Sequence, residues 1–113
     1  MIKNNTVKVL SMLGMSYQAK KIITGEDALR KSIRENKVKL LIIANDASDN
    51  TKKRLINCAK HYGISYYVFS TKNDFSICLG GKNRSAIGII DKNFTNIVEK
   101  LICNVLQSKT GGE

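Results

Sequence analysis

Between Ile22 and Ala44 the chain runs Ile22-Ile23-Thr24-Gly25-Glu26-Asp27-Ala28-Leu29-Arg30-Lys31-Ser32-Ile33-Arg34 and then Val38-Lys39-Leu40-Leu41-Ile42-Ile43-Ala44. Two apolar runs too short for helices bracket a segment whose apolar residues recur at helical spacing, and a glycine separates the first run from that segment. This is the pattern of a strand, a turn, a basic amphipathic helix and a second strand, which commits the chain to an α/β architecture. The helix is expected from Glu26 to Asn36, burying Ala28, Leu29, Ser32 and Ile33. Leu40 to Ala44 is apolar at every position, as a central strand covered on both faces would be. A helix start exposes unpaired N–H groups and a partial positive charge, so one that opens at a glycine suits phosphate and nucleic-acid edges.

The remaining elements follow the same alternation. Val7 to about Ala19 reads as a helix with Val9, Leu10, Leu13 and Tyr17 inward. Asp46-Ala47-Ser48-Asp49-Asn50 offers N-cap residues for a helix from Asp49 to Tyr62, and Gly63 stands where a left-handed C-cap would end it. Its inward set is Thr51, Leu55, Cys58, Ala59 and Tyr62, leaving Lys52, Lys53, Arg54, Lys60 and His61 outside. Ser65 to Phe69 reads as a strand, Ser70 as the cap of a short helix to Leu79, and Gly80-Gly81 as its stop. Ser85 to Ile90 is the last strand, and Phe94, Ile97, Val98, Leu101, Ile102 and Val105 trace the apolar face of a closing helix. The expected fold is a three-layer α/β/α sandwich with a mixed sheet of about four strands. At 113 residues this is one domain, with an ordered core over about residues 6–107 and flexible ends.

Charge is the compositional outlier. Nineteen Lys and Arg against nine Asp and Glu leave a net +10. Lys20, Lys21, Arg30, Lys31, Arg34, Lys37 and Lys39 crowd into a stretch whose counter-charges are Glu26, Asp27 and Glu35. Such a concentration favours polyanionic partners through counterion release. Cys58, Cys78 and Cys103 are widely spaced, without a CxxC pair and with one histidine in the chain, so neither a disulfide frame nor a zinc site is indicated. No apolar run reaches membrane-spanning length and the first residues carry no apolar signal core, which leads to an expectation of cytoplasmic placement with reduced thiols.

In this order the elements resemble the kink-turn-binding ribosomal protein superfamily, the L-seven-Ae and L-thirty-e group, and most closely its bacterial YlxQ branch. The resemblance rests on Gly25-Glu26-Asp27-Ala28 opening the basic helix, and on Leu40 to Ser48 running into Asn50-Thr51-Lys52-Lys53. Further on it rests on Tyr62-Gly63-Ile64, the Leu79-Gly80-Gly81-Lys82 turn, and Ala86-Ile87-Gly88-Ile89-Ile90-Asp91 with Phe94 after it. It spans about Leu10 to Leu106. It implies that the helix after the glycine enters the widened groove of a kink-turn and reads its tandem sheared G·A pairs. It also implies that a loop before the last strand covers a bulged nucleotide. Sheared pairs leave guanine O6 and N7 facing the groove as acceptors, so the protein must present donors there.

Ribosomal members carry Gly-Thr-Asn-Glu at this helix start, with a lysine four residues beyond the asparagine. Here the asparagine position is Asp27 and the glutamate position is Ala28, while the lysine is kept as Lys31. An ionised aspartate only accepts and cannot donate to guanine. Lys31 stands one turn on from Asp27, with Arg30 and Arg34 at three and seven residues. The resemblance implies an RNA-binding set of Gly25, Glu26, Asp27, Arg30, Lys31 and Arg34 on the helix. To these it adds Asn45 and Asp46 at a strand end, and Leu79, Gly80, Gly81, Lys82, Arg84 and Ala86 in and after the loop, with Lys82 and Arg84 on phosphates.

Other constellations read as structural. Cys58 and His61 lie three apart on one helix, but one points to the core and the other to the polar side, so no nucleophile–base pair forms. Alternate residues among Tyr66, Tyr67 and Phe69 belong to the core, and no nucleotide-binding fingerprint surrounds Gly80-Gly81. The sequence therefore points to non-catalytic binding of structured RNA, a kink-turn or related internal loop, by a ribosomal-protein-like or ribosome-associated factor without cofactor or metal. The alternative is a protein-interaction module in translation or ribosome assembly that keeps the fold without specific RNA recognition.

Overall fold

The computed structural model describes residues 2–81 and 84–111, with side chains at 6–81 and 84–106. Helices and strands alternate throughout: α1 (Ile2–Gln18), β1 (Ile22–Thr24), α2 (Glu26–Arg34), β2 (Leu40–Ile43), α3 (Asp49–Tyr62), β3 (Ser65–Val68), α4 (Lys72–Cys78), β4 (Ala86–Ile89) and α5 (Lys92–Gly111). The four strands form one mixed sheet in the order β1-β4-β2-β3. β4 runs antiparallel to both neighbours, pairing Thr24 with Ile87 on one side and Ile43 with Ala86 on the other, while β2 and β3 pair in parallel. β1 and β2 therefore point the same way. So do the helices that follow them, and both start at one end of the sheet.

The period of two along the strands sorts side chains into two cores. Leu40, Ile42, Ala44, Ile87 and Ile89 face α1, α4 and α5, meeting Val9, Leu13, Phe75, Val98 and Ile102. Leu41, Ile43 and Ala86 face α2 and α3, meeting Leu29, Ile33, Leu55 and Ala59. All four residues of β2 and of β4 are buried, as expected of strands covered on both faces. The expected three-layer sandwich is what forms. Gly88, in the middle of β4, sets the height of α2 above the sheet. A Cβ there would stand 2.6 Å from Leu29 Cδ2 and 3.2 Å from both Val38 methyls.

Local chemistry explains the helix ends. The Ser48 hydroxyl accepts the Thr51 N–H at 3.1 Å and caps α3, and Gly63 ends it in the left-handed conformation at φ 70°. α2 stops at Arg34 rather than Asn36, because Asn36 itself turns left-handed at φ 61°. Thr71, not Ser70, caps α4. Ser70 takes φ 66° and donates its hydroxyl to Asp74, whereas the Thr71 hydroxyl accepts the Asp74 N–H at 3.1 Å.

Several inward assignments also need correction. Ala28 is exposed, since α2 rests on the sheet through the narrow stripe Leu29, Ser32 and Ile33. Tyr17, Tyr62 and Ile97 likewise remain on the surface. Ser16 and Thr95 take inward positions instead: the Ser16 hydroxyl bonds the Met12 carbonyl at 2.7 Å, whereas the buried Thr95 hydroxyl has no partner among the described residues. α1 and α5 extend further toward the chain ends than expected. At the β3 edge the Tyr67 hydroxyl donates to Glu99 at 2.9 Å and lies 3.5 Å from Cys103 Sγ. The Cys103 contact, burial and Glu99 together raise the phenol well above its ordinary range. Among the described residues no helix is long and apolar enough to cross a membrane.

Candidate nucleic-acid interface

The sheet order brings the start of α2 beside the start of β4, because β1 leads into one and pairs with the other. Gly25 holds φ 92° and ψ 131°, a conformation that L side chains rarely adopt, although a Cβ there would meet nothing within 4 Å. The glycine is required by the backbone and not by crowding. Its carbonyl accepts the Leu29 N–H at 2.9 Å, the first helical bond, and no side chain caps the helix. Among the described residues the first-turn N–H groups of α2 therefore have no side-chain acceptor and keep their capacity to bind an anion.

Gly25 before α2, Glu26 of α2, Thr51 and Leu55 of α3, and Arg84, Ser85 and Ala86 before and in β4 line a cavity of about 170 Å³. The end of β2 fixes the third wall: the Ala44 N–H donates to the Ser85 carbonyl at 2.7 Å. Glu26 ties the two helices together. Its carboxylate accepts from Arg54 Nε, from Arg54 Nη2 at 3.1 Å and from the Thr51 hydroxyl at 3.5 Å. The Arg54 bonds hold the Glu26 carboxyl below its ordinary value, and the same pairing raises the guanidinium. Beyond the cavity, Arg30 and Arg34 of α2 turn toward Arg54, Asn57, His61 and Tyr62 of α3 across a shallow surface groove. Asp27 and Lys31 are exposed, one helical turn apart.

The fourteen residues that the sequence suggested for RNA contact thus divide. Gly25, Glu26, Arg84 and Ala86 come together around the cavity, Ala86 by its buried position at the start of β4. Arg30 and Arg34 meet at the groove. Asn45 and Asp46 lie elsewhere. Asn45 lines a separate depression with Val68 and Thr71, and the Asp46 carboxylate accepts the Lys72 N–H at 2.9 Å, serving the first turn of α4. Leu79 belongs to the core, 1% exposed, and not to the loop surface. Gly80 and Gly81 are exposed at φ 81° and 86°, and Gly80 lies against the Tyr17 ring. Lys82 lies outside the described residues. Thr51, Arg54 and Ser85 join the candidate site and the buried Leu55 lines its cavity, none of them singled out by the sequence. The Asn50-Thr51-Lys52-Lys53 segment was part of the resemblance, but the Arg54–Glu26 pair spans 28 residues and left no local signal.

Comparison with known proteins agrees with this fold. The model of the Ribosomal protein L7Ae/L30e/S12e/Gadd45 family matches residues 7–99. The RNA-binding protein YlxQ of Enterococcus faecium is 32% identical over 102 residues, 90% of this chain and 98% of that protein. The RNA-binding protein YlxQ of Bacillus subtilis is 29% identical over 91 residues, 80% of this chain and 91% of its own. A solved Bacillus halodurans protein of unknown function has a TM-score of 0.81 at 32% identity, covering 84% of this chain and 96% of that one. The Giardia lamblia 15.5kD RNA binding protein shares the fold, with a TM-score of 0.75 at 20% identity over 90% of this chain and 88% of its own. With a family model matched over residues 7–99 and a relative at 32% identity along 90% of the chain, this protein belongs to the Ribosomal protein L7Ae/L30e/S12e/Gadd45 family and is similar to its YlxQ branch.

Proposed function

We propose that this protein binds structured RNA without catalysing a reaction, at a kink-turn or a related internal loop, as a ribosome-associated factor. The observation that carries the reading is the convergence of the uncapped, glycine-opened start of α2 with Arg84 and Ser85 around one cavity, on a chain of net charge +10. Free N–H groups and the Arg84 guanidinium supply donors, which is what the acceptor edges of sheared G·A pairs and the adjoining phosphates require. The names of the YlxQ relatives point to the same class of ligand. No three His, Cys, Asp or Glu gather as a metal site among the described residues.

Asp27 favours a second reading. It stands exposed in the first turn, where it accepts and cannot donate, and Arg54 beside it is already engaged by Glu26. A protein-interaction module in translation or ribosome assembly would retain this fold without reading G·A pairs. A titration of a kink-turn RNA beside the same RNA with its G·A pairs replaced, at physiological salt, separates the two. Preference for the intact motif establishes kink-turn recognition. Equal and strongly salt-dependent binding to both reduces the interface to general attraction for RNA, and co-purification with a protein partner that survives nuclease then supports the second reading.

A further inference from the structure

α2 and α3 start together at the cavity and run side by side away from it, so the groove between them is a continuation of the proposed RNA site. Arg30, Arg34, Arg54, Asn57, His61 and Tyr62 line it, and its volume is about 460 Å³. From Glu26 to Arg34 on one helix and from Arg54 to Tyr62 on the other, the walls extend roughly 12 Å at the helical rise. Among the described residues neither Arg30 nor Arg34 forms an ion pair, and the third arginine reaches Glu26 at the cavity end. Glu26 neutralises Arg54 at the cavity end, so the net positive charge of the groove rests on Arg30 and Arg34 and favours an entering anion. At the far end Tyr62 is 37% exposed, and its ring meets His61 edge to face, with centroids 4.7 Å apart.

We propose that this groove holds an unpaired RNA strand leaving the structured element, with phosphates on Arg30 and Arg34 and a base on Tyr62. The proposal rests on the RNA-binding reading above. A duplex would use the arginines alone, because its bases are stacked inward and an aromatic side chain at the surface gains nothing from it. An unpaired strand uses both features, since exposed bases stack on aromatic rings while the backbone follows the positive groove. Asn57, between Arg54 and His61 on the same helix, offers an amide to a base edge.

The test compares a blunt kink-turn RNA with the same RNA carrying about four unpaired nucleotides at one end or the other. The wild-type protein should bind one extended form roughly tenfold more tightly than the blunt form, the effect of stacking a single base. Tyr62→Ala should abolish that gain and leave blunt binding unchanged, and His61→Ala, at an exposed position, should reduce it. No gain from either extension, while preference for intact G·A pairs persists, overturns the groove and spares the kink-turn reading. The same gain after the extension is made double-stranded also overturns it. If G·A preference is absent, the kink-turn reading fails. The groove is then judged on the G·A-replaced RNA, where a gain lost in Tyr62→Ala supports it and no gain refutes it.

Discussion

Replacing Gly88 with alanine tests how α2 is seated on the sheet. Gly88 is not among the positive-φ positions, so alanine can take its backbone conformation. Removing glycine's freedom in the unfolded chain would by itself stabilise the protein by about 0.5–1 kcal/mol. Against this, the new methyl would sit 2.6 Å from Leu29 Cδ2 and 3.2 Å from the Val38 methyls. Leu29 is fully buried and Val38 is 1% exposed, so neither can swing into solvent. Relief needs a poor rotamer or a shift of α2, an overpacking cost of roughly 1–3 kcal/mol. The net expectation is a loss of about 1–2 kcal/mol, read as a lower urea midpoint at unchanged slope in far-UV circular dichroism. The cause is isolated by a cycle with Leu29→Ala, which costs about 2–5 kcal/mol alone by leaving a cavity. In that background Gly88→Ala should be nearly neutral or stabilising, because the clashing methyl is gone and the new one fills space. A Gly88→Ala protein as stable as wild type, or one equally destabilised in both backgrounds, would refute the reasoning.

Further predictions concern individual bonds. Ser48→Ala removes the cap of α3 and should lower stability by about 1 kcal/mol in thermal or urea unfolding, with Ser48→Gly losing less. Thr95→Val replaces a buried hydroxyl that has no partner among the described residues, and should raise the unfolding midpoint by the equivalent of roughly 1 kcal/mol. Glu26→Gln breaks the charged tie to Arg54. Because the folded carboxyl lies below its ordinary 4.5, the stabilisation is present above that pH and is lost as pH falls through the folded value. The stability difference between wild type and Glu26→Gln should therefore narrow in acid, and Arg54, once released, should steepen the salt dependence of RNA binding. Alanine at Arg30, Lys31 and Arg34 together should weaken RNA binding and reduce the salt slope by about one per lost phosphate contact. Unchanged affinity at fixed salt would remove this helix from the interface.

What could be read from the sequence was what neighbouring residues determine among themselves. α3 has the bounds expected from Asp49 to Tyr62 because its start and stop signals, Ser48 and Gly63, are local. β2 was evident because burial on both faces leaves no polar position in Leu40–Ile43. α2 was placed correctly at its start, where the glycine is needed, and overrun at its end, where Asn36 turned left-handed without a glycine to announce it. Ala28 and Ile97 were assigned inward because they are apolar, yet each helix presents a stripe narrower than its apolar content. The candidate interface was legible only in outline. Gly25 and Arg84 could be anticipated, but the sheet order that joins them and the Glu26–Arg54 tie depend on contacts between distant segments. Leu79 shows the converse: beside a glycine loop the sequence does not distinguish a loop-surface leucine from the core position that it occupies.

β4 lies inside the sheet although it is the last strand in the chain, and it pairs with both the first strand and the second. During synthesis, β1, α2 and β2 emerge long before the strand that must separate β1 from β2. A nascent chain ending before Ala86 carries the lysines and arginines of residues 20–39 but lacks one wall of the cavity and the register that positions α2. Pairing at such sequence separations comes late and slowly. On the proposed function, the growing polypeptide consequently carries its charge for polyanions before the cavity proposed to choose among them exists, and that choice waits until residues 84–89 close the sheet.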